Sequence, residues 1–405
     1  MSRPLSALRV LDLTRALSGP FCTMILGDLG ADVIKVEPTP DGEMIRAWGP
    51  FHHGIGVFYL SVNRNKRSLA VDFRDPKGLK LLKRIACECD VLVENFKPGT
   101  ADKLGIGYDA LKSKNPRLIY AAITGFGSDG PYGTWPGFDQ IAQGMSGLMS
   151  ITGPRDGEAT RVGVPIGDLV AGMWLAIGIN AAVAQRHETG AGQRVDTSLL
   201  ASLVGMLCVQ GQRYLSIEDV PQRAGNDHPV IFPYGTFTAA DGMLNLGAAT
   251  PGMWVKVCEL LDLEDLKDHP EYADNTARAK NRDALRKIMN ERLATRSAVE
   301  WTNIFIEAGV PAGPVYNLDQ VFEDPQVKHL GLAEEVKHPL IGALRQLSNP
   351  LRMESIGGKT VKTHPPLLGE HSEGVLRSFG IADDEIAALI KNGIVAVSDI
   401  QKESV

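Results

Sequence analysis

The sequence is poor in cysteine and in the patterns that cysteine-dependent sites need. Five cysteines are scattered through 405 residues, and none stands in a Cys-x-x-Cys pair. An odd, scattered set argues against a disulfide framework or a zinc site and fits a reducing compartment. No long apolar run is evident either, before the first predicted strand or later. We therefore expect no secretion signal, no membrane-spanning segment and a cytoplasmic location.

Motifs that mark common catalytic and nucleotide-binding sites are also missing. The glycine patterns Gly-x-Gly-x-x-Gly and Gly-x-x-x-x-Gly-Lys-[Ser/Thr] do not occur, so neither dinucleotide nor triphosphate binding is indicated. There is no Gly-x-Ser-x-Gly elbow and no His-Glu-x-x-His, and the adjacent pair His52-His53 is more typical of an exposed loop than of a metal site. A reaction that needs neither metal nor histidine suits a carboxylate nucleophile.

The first 130 or so residues contain alternating strand and helix patterns. Apolar runs at 8–13, 32–37, 67–73, 91–96 and 118–124 predict strands, with helices between several of them. This alternation predicts an α/β fold with a mostly parallel sheet covered on both faces. Ligands of such sheets bind beyond the carboxyl ends of the strands, so we expect the binding site in the loops after these runs.

The length exceeds what one hydrophobic core usually holds, and the pattern changes after Arg223. A β-hairpin is predicted around Asp241-Gly242, and charged helices follow it. We predict a large domain at 1–200 and 325–405, a linker at 201–224 and a small α/β domain at 225–324.

The chain has no excess of positive charge, because its formal net charge is −6. This argues against a nucleic-acid-binding protein, and any polyanionic ligand must meet a local basic cluster. Basic segments do recur at the predicted ligand edge: Arg15, Arg46, Asn65-Lys66-Arg67, Arg74, Lys97 and Lys103. They are open to two interpretations, a side-chain cradle for several phosphates or a solvated rim.

Asp168 lies directly before a predicted helix of small and apolar residues, in GVPIGDLVAGMWLAIGINAAVAQRH. An aspartate there is a favoured N-cap. The same place would hold an ionised carboxylate, which needs no base at pH 7 because the ordinary pKa is about 3.9. The residues alone leave both interpretations open.

Long motifs, in order over nearly the whole chain, resemble those of the class III coenzyme A transferases, the CaiB/BaiF family. They are LRVLDLTRALSGPFCTMILGDLGADVIKVEP, NRNKRSLAVDF, VLVENFKPGTADKLG, ITGFGSDGPYGTWPGFDQIAQGMSG, GDLVAGMW, AGVPAGPVYNLDQVFEDPQV and PPLLGEHS. In this resemblance Asp168 falls at the family's catalytic aspartate.

The resemblance implies a Rossmann-like large domain, a smaller α/β domain and an interlocked homodimer. It implies acyl-CoA and a carboxylic acid as substrates, with no permanently bound cofactor and no metal. CoA would pass between acids through an aspartyl-acyl anhydride and an aspartyl-CoA thioester. The family's CoA contacts fall on Arg15, Ala16, Val71, Arg74, Asn95, Phe96 and Lys103, of which Arg74 and Lys103 would hold phosphates.

Three departures from the family pattern bear on these expectations. Pro38 stands where some relatives have an arginine. Lys103 also replaces an arginine, and a lysine cannot form the two parallel hydrogen bonds of a guanidinium. Residues 247–252 replace a glycine loop of the family. The alternative within the family is an α-methylacyl-CoA racemase, whose second acid/base group is a histidine. Phe138 stands at that position and cannot transfer a proton. A CoA-binding protein without catalysis is a further alternative.

Overall fold

The computed structural model describes residues 3–398. Its strands are β1 (Arg9–Asp12), β2 (Asp32–Glu37), β3 (Phe51–His52), β4 (Ile55–Gly56), β5 (Lys66–Val71), β6 (Val91–Glu94), β7 (Ile119–Thr124), β8 (Arg194–Ser198), β9 (Tyr234–Thr238), β10 (Met243–Gly247), β11 (Ala312–Pro314), β12 (Ala333–His338), β13 (Gly342–Leu347) and β14 (Val395–Ala396).

The helices account for most of the remaining regular structure in this range. They are α1 (Ser18–Asp28), α2 (Val57–Val62), α3 (Pro76–Cys87), α4 (Thr100–Leu104), α5 (Tyr108–Lys112), α6 (Asp139–Met145), α7 (Leu148–Ile151), α8 (Ile166–Thr189), α9 (Leu199–Met206), α10 (Cys208–Ile217), α11 (Pro251–Leu260), α12 (Asn275–Lys280), α13 (Arg282–Leu293), α14 (Ala298–Glu307), α15 (Leu318–Glu323), α16 (Pro325–Leu330), α17 (Ser372–Ser378) and α18 (Asp383–Lys391).

A seven-stranded sheet organises the first of two compact units, which comprises Met1–Leu148, Val162–Ser216 and Lys328–Val405. The strand order is β14-β5-β2-β1-β6-β7-β8. All neighbours are parallel except β14, which pairs antiparallel with β5. The predicted mostly parallel α/β sheet is therefore confirmed.

Alternate side chains of the central strands pack into separate cores on the two faces of the sheet. Leu11, Ile34 and Leu92 belong to one cluster, whereas Val10 and Val33 belong to the other. A strand buried on both faces needs apolar residues at successive positions. These strands therefore appear in the sequence as continuous apolar runs.

The sheet has a switch point between β1 and β6. From β1 the chain moves outward to β2 and β5, then returns to the other side of β1 through β6. The loops that leave the carboxyl ends of β1 and β6 thus diverge and open a crevice between them. Arg15, Ala16, Asn95 and Phe96 lie in these two loops.

The second compact unit comprises Met149–Arg161 and Ile217–Val327. Its three-stranded antiparallel sheet contains the predicted hairpin of β9 and β10. Thr250 caps α11 by accepting the N–H of Met253, and Pro251 occupies the first helical turn. This grouping differs from the predicted domains, since 149–161 joins the second unit and much of the predicted linker 201–224 is helical in α9 and α10.

The expectation that no segment is long and apolar enough to span a membrane is wrong by length and composition, because α8 meets both criteria. Part of this helix is buried inside the protein. Gly172, Ala171 and Leu175 are buried, and the helix packs closely against α1. An apolar helix of this kind is common in the core of an α/β protein.

Candidate active site

The loop from Leu13 to Leu17 joins β1 to α1 and turns sharply at Ala16, whose φ is +62°. Asn95, which follows β6, holds this loop from the opposite side of the switch point. Its Oδ1 accepts the Arg15 N–H at 2.8 Å, and its Nδ2 donates to the Arg15 carbonyl at 2.8 Å. The side chain of Asn95 therefore fixes the loop that leads into α1.

Asp168 is the third residue of α8 and lies within its first turn. The N-cap interpretation is wrong because α8 begins two residues earlier, with Pro165 at the N-cap position. Asp139 serves the free end of α8 instead, its Oδ1 accepting the Gly167 N–H at 2.7 Å. The hydroxyl and backbone N–H of Ser18 lie beside the Asp168 carboxylate, and both act to lower its pKa.

Ser18 is the first residue of α1, so the free amide that meets Asp168 belongs to α1 rather than to α8. Gly172 in α8 permits α1 to approach this closely. A Cβ at Gly172, one turn beyond Asp168, would lie 2.7 Å from the Ser18 carbonyl oxygen. This contact is not compatible with a larger residue at the present separation of the two helices.

The Asp168 carboxylate faces a cavity of about 490 Å³ at the switch point. The same cavity is lined by four of the residues predicted to contact CoA: Arg15, Ala16, Asn95 and Phe96. Lys97 adds a second cation beside Arg15, whose guanidinium lies 4.9 Å from the centre of the Phe96 ring. Apolar walls complete it, among them Trp48, Phe58, Phe138 and Leu199.

Burial raises the pKa of Asp168 to about 6, and the negative charge of Asp139 acts in the same direction. The hydroxyl and N–H of Ser18 oppose both effects by stabilising the ionised form. At pH 7 about 90% of such a group is ionised. The site thus holds a half-buried carboxylate that is charged and only partly stabilised by its surroundings.

A comparison with protein-family models identifies the family. The model described as CoA-transferase family III matches residues 5–372. The chain belongs to this family. The resemblance deduced from the sequence motifs is confirmed, and the chain is a CoA-transferase.

Relatives with established names cover almost the full length. The human succinyl-CoA:glutarate CoA-transferase is 41% identical over 395 residues, which is 97% of this chain and 90% of the relative. A succinyl-CoA:mesaconate CoA-transferase of Haloarcula hispanica is 39% identical over 93% of this chain and 96% of its own length. A CAIB/BAIF family protein from Brucella suis has a crystal structure that matches with a TM-score of 0.85, 37% identity, and coverage of 94% and 100%.

Three of the predicted CoA contacts of the transferase do not line the cavity. Lys103 is exposed on α4, and Arg74 is exposed and bonded to Asp72 and the Thr39 carbonyl. Val71 is completely buried in β5, where it pairs with Val395 of β14. Val71 therefore has no surface that a ligand can reach in this conformation.

The interpretation of all the basic segments as one phosphate cradle or rim is wrong for Lys66 and Arg46. Lys66 is fully buried and donates to Asp12 Oδ2 at 3.0 Å. Arg46 forms a two-pronged ion pair with Glu37 at 2.6 and 2.7 Å. Buried charges require partners of this kind, and these two cations are already fully engaged inside the protein.

Ser18, Asp139 and Glu43 are functional candidates that sequence reasoning missed. Ser18 was visible only as part of a Ser-Gly-Pro turn, and Asp139 only as the neighbour of Phe138. Within residues 3–398, no group of three or more histidine, cysteine or acidic side chains is arranged to hold a metal ion.

Proposed function

We propose that this transferase moves CoA from an acyl-CoA to a free carboxylic acid, with the Asp168 carboxylate as the nucleophile. The observation that carries the proposal is the shared cavity. Asp168 faces it together with Arg15, Asn95 and Phe96, the loop residues expected to receive CoA. A buried carboxylate with a raised pKa is less well solvated than an exposed one, which favours attack on a bound thioester.

The reaction proceeds in two reversible halves. The carboxylate oxygen attacks the thioester carbonyl, the C–S bond breaks, and an aspartyl-acyl anhydride and a CoA thiolate form. The thiolate attacks the aspartyl carbonyl, which releases the donor acid and leaves an aspartyl-CoA thioester. An acceptor carboxylate then repeats these steps in reverse order, so that no proton needs to be added or removed overall.

The relatives narrow the choice of acids. Two of them are named for the transfer of CoA from succinyl-CoA to glutarate or to mesaconate. We infer that short dicarboxylic acids are the acids exchanged by this chain, with succinyl-CoA as the first donor to test.

The proposal is tested with a panel of acyl-CoA donors against glutarate, mesaconate and oxalate, read by mass spectrometry. We expect succinyl-CoA with a dicarboxylate to turn over fastest. Hydroxylamine added during turnover should leave a hydroxamate on Asp168, because anhydrides and thioesters are both attacked by this amine. Enzyme treated without acyl-CoA is the control, and an unlabelled Asp168 in both samples would contradict a covalent intermediate.

Racemisation is the second candidate, and the cavity argues against it. Phe138 lines the cavity and is 63% exposed, and no histidine belongs to the lining formed by residues 3–398. The phenyl ring cannot act as the second acid/base group. A 2-methylacyl-CoA incubated in D₂O should therefore acquire no deuterium at the α-carbon, and incorporation would favour the racemase.

We also propose that the chain forms a homodimer, as the family resemblance implies. Helix α8 exposes Met173, Trp174 and Ile177 on one face, and α10 exposes Val209 and Leu215. Clusters of exposed apolar side chains often mark a surface that contacts another protein. Sedimentation velocity is expected to give a dimer, and a stable monomer at micromolar concentration would contradict this.

The ionisation of Asp168 gives the transferase an expected pH dependence. Because only the charged carboxylate attacks, kcat/KM should fall as the pH decreases through about 6, by roughly tenfold between pH 7 and pH 5. Ser18→Ala removes a hydroxyl that lowers the pKa and should move this acid limb upward. Asp139→Asn removes a charge that raises the pKa and should move it downward. Shifts in the same direction for both variants would contradict the assignment.

A further inference from the structure

We propose that Glu43 is a positioning residue of this active site, which holds the loop from Thr14 to Ser18 in the shape that directs Ser18 at Asp168. This inference rests on the proposed role of Asp168. Glu43 does not line the cavity, and it lies in the segment between β2 and the short 3₁₀ helix Met44–Ala47. Its influence is therefore indirect, through the backbone.

The contact that carries the inference is made to Ala16. Glu43 Oε2 accepts the Ala16 N–H at 2.8 Å. Ala16 has a φ of +62°, a left-handed conformation that residues with a Cβ rarely adopt. Such a conformation persists only where its surroundings fix it. Ala16 is two residues before Ser18, so a change in its φ would redirect the start of α1.

Glu43 is itself fixed by Lys35, and Lys35 contacts the same loop. The Lys35 ammonium lies 2.5 Å from Glu43 Oε1 and donates to the Thr14 carbonyl at 3.1 Å. Both side chains are buried. The pair thus bridges a carbonyl at the start of the loop and an N–H at its turn, and neither group is left without a partner.

Side chains bind three further backbone groups of the loop in the same manner. Asp12 Oδ1 accepts the Thr14 N–H at 2.9 Å. Asn95 holds both the N–H and the carbonyl of Arg15. The loop is consequently fixed by side chains from four separate strands or loops, and Glu43 is the one that acts at the strained residue.

Other charges surround Glu43 and must be considered when it is changed. Lys35 faces it directly, Glu37 Oε2 accepts the Glu43 N–H at 3.3 Å, and the charge of Glu43 also acts on Arg46. Asp168 is faced by Asp139 and Ser18. Glu43→Gln preserves an oxygen that can accept the Ala16 N–H but loses the attraction to Lys35 that holds the side chain in place.

The test is the pH profile of kcat/KM for Glu43→Gln in the full-length transferase, with the donor and acceptor that turn over fastest in the panel. We expect the acid limb to move upward by roughly one pH unit, because the hydroxyl and N–H of Ser18, which favour the charged carboxylate, are no longer held beside Asp168. At pH 6 this is a loss of about fivefold, with little change at pH 8. An unchanged acid limb in a folded Glu43→Gln protein would overturn the inference.

Asp28→Asn is the matched control, because it removes an equally buried carboxylate whose partner is Arg64, at 2.6 Å. It should lower the melting temperature without moving the acid limb, and an equal shift would overturn the inference. If Glu43→Gln fails to fold, Asn95→Ala releases the same loop from a half-exposed position and must shift the limb upward. Full turnover by Asp168→Ala would instead overturn the proposed nucleophile, so the two failures are distinguishable.

Discussion

Replacing Asp168 by alanine is expected to abolish CoA transfer, with kcat/KM reduced at least about 10⁴-fold. The reason is that the proposed mechanism places the acyl group and then CoA on this one carboxylate, and its neighbours offer no substitute. Asp139 is committed to the Gly167 N–H and to Gln143 Nε2, both at 2.7 Å. Turnover is measured by mass spectrometry of the acyl-CoA products.

CoA binding should survive the same substitution, because the loops of Arg15 and Asn95 are held by hydrogen bonds to each other and not to Asp168. CoA affinity measured by calorimetry should stay within a few-fold of the unaltered protein. Glu88→Gln, an exposed change on the surface after α3, is the control and should leave transfer unchanged. Residual transfer by Asp168→Ala at even a few per cent of the normal rate would refute the nucleophile.

Asp168→Asn separates the chemical role of this carboxylate from its effect on stability. Because the folded-state pKa of Asp168 is raised above the ordinary value, its ionisation destabilises the folded protein. This destabilisation is complete above about pH 6 and absent below about pH 4. The asparagine variant should therefore be inactive yet melt at a higher temperature than the unaltered protein at pH 8, with the difference vanishing at low pH.

Much of the fold could be predicted because its signals are local. Strand β2 has the predicted bounds, and the hairpin follows from Asp241-Gly242 between alternating strands. Strand β14 and the pair β12–β13 were not predicted. Strand β14 has two residues and is defined by pairing with β5, more than 300 positions away, which no local pattern encodes.

The candidate site, like the fold, could be predicted only in part. The position of Asp168 was deduced from a long motif, and the proximity of Arg15 to Asn95 follows from two loops at one switch point. The partnership of Asp168 with Ser18 was not predictable, because it depends on how closely α1 approaches α8. The burial of Val71 was not predictable for a related reason, because Val71 pairs with β14, a distant segment.

The close approach of α1 to α8 leads to the second prediction with a large expected effect, which concerns Gly172→Ala. A methyl group at this position would lie 2.7 Å from the Ser18 carbonyl oxygen and 3.3 Å from the Cys22 backbone nitrogen. Backbone atoms cannot rotate away, so α1 must move away from α8. We expect a loss of stability of about 1–3 kcal/mol, which is typical of overpacking.

The larger consequence of Gly172→Ala is expected in catalysis. Moving α1 takes Ser18 away from Asp168 and displaces the loop that lines the cavity, and an error of about 1 Å can cost about 10²-fold in rate. The acid limb of kcat/KM should also rise, since the hydroxyl and N–H of Ser18 favour the ionised carboxylate. Gly374→Ala in α17 is the matched control, because a Cβ there meets open space. It should raise stability by about 0.5–1 kcal/mol and leave kcat/KM unchanged, whereas a Gly172→Ala protein with normal turnover would show that the separation of α1 and α8 does not control the site.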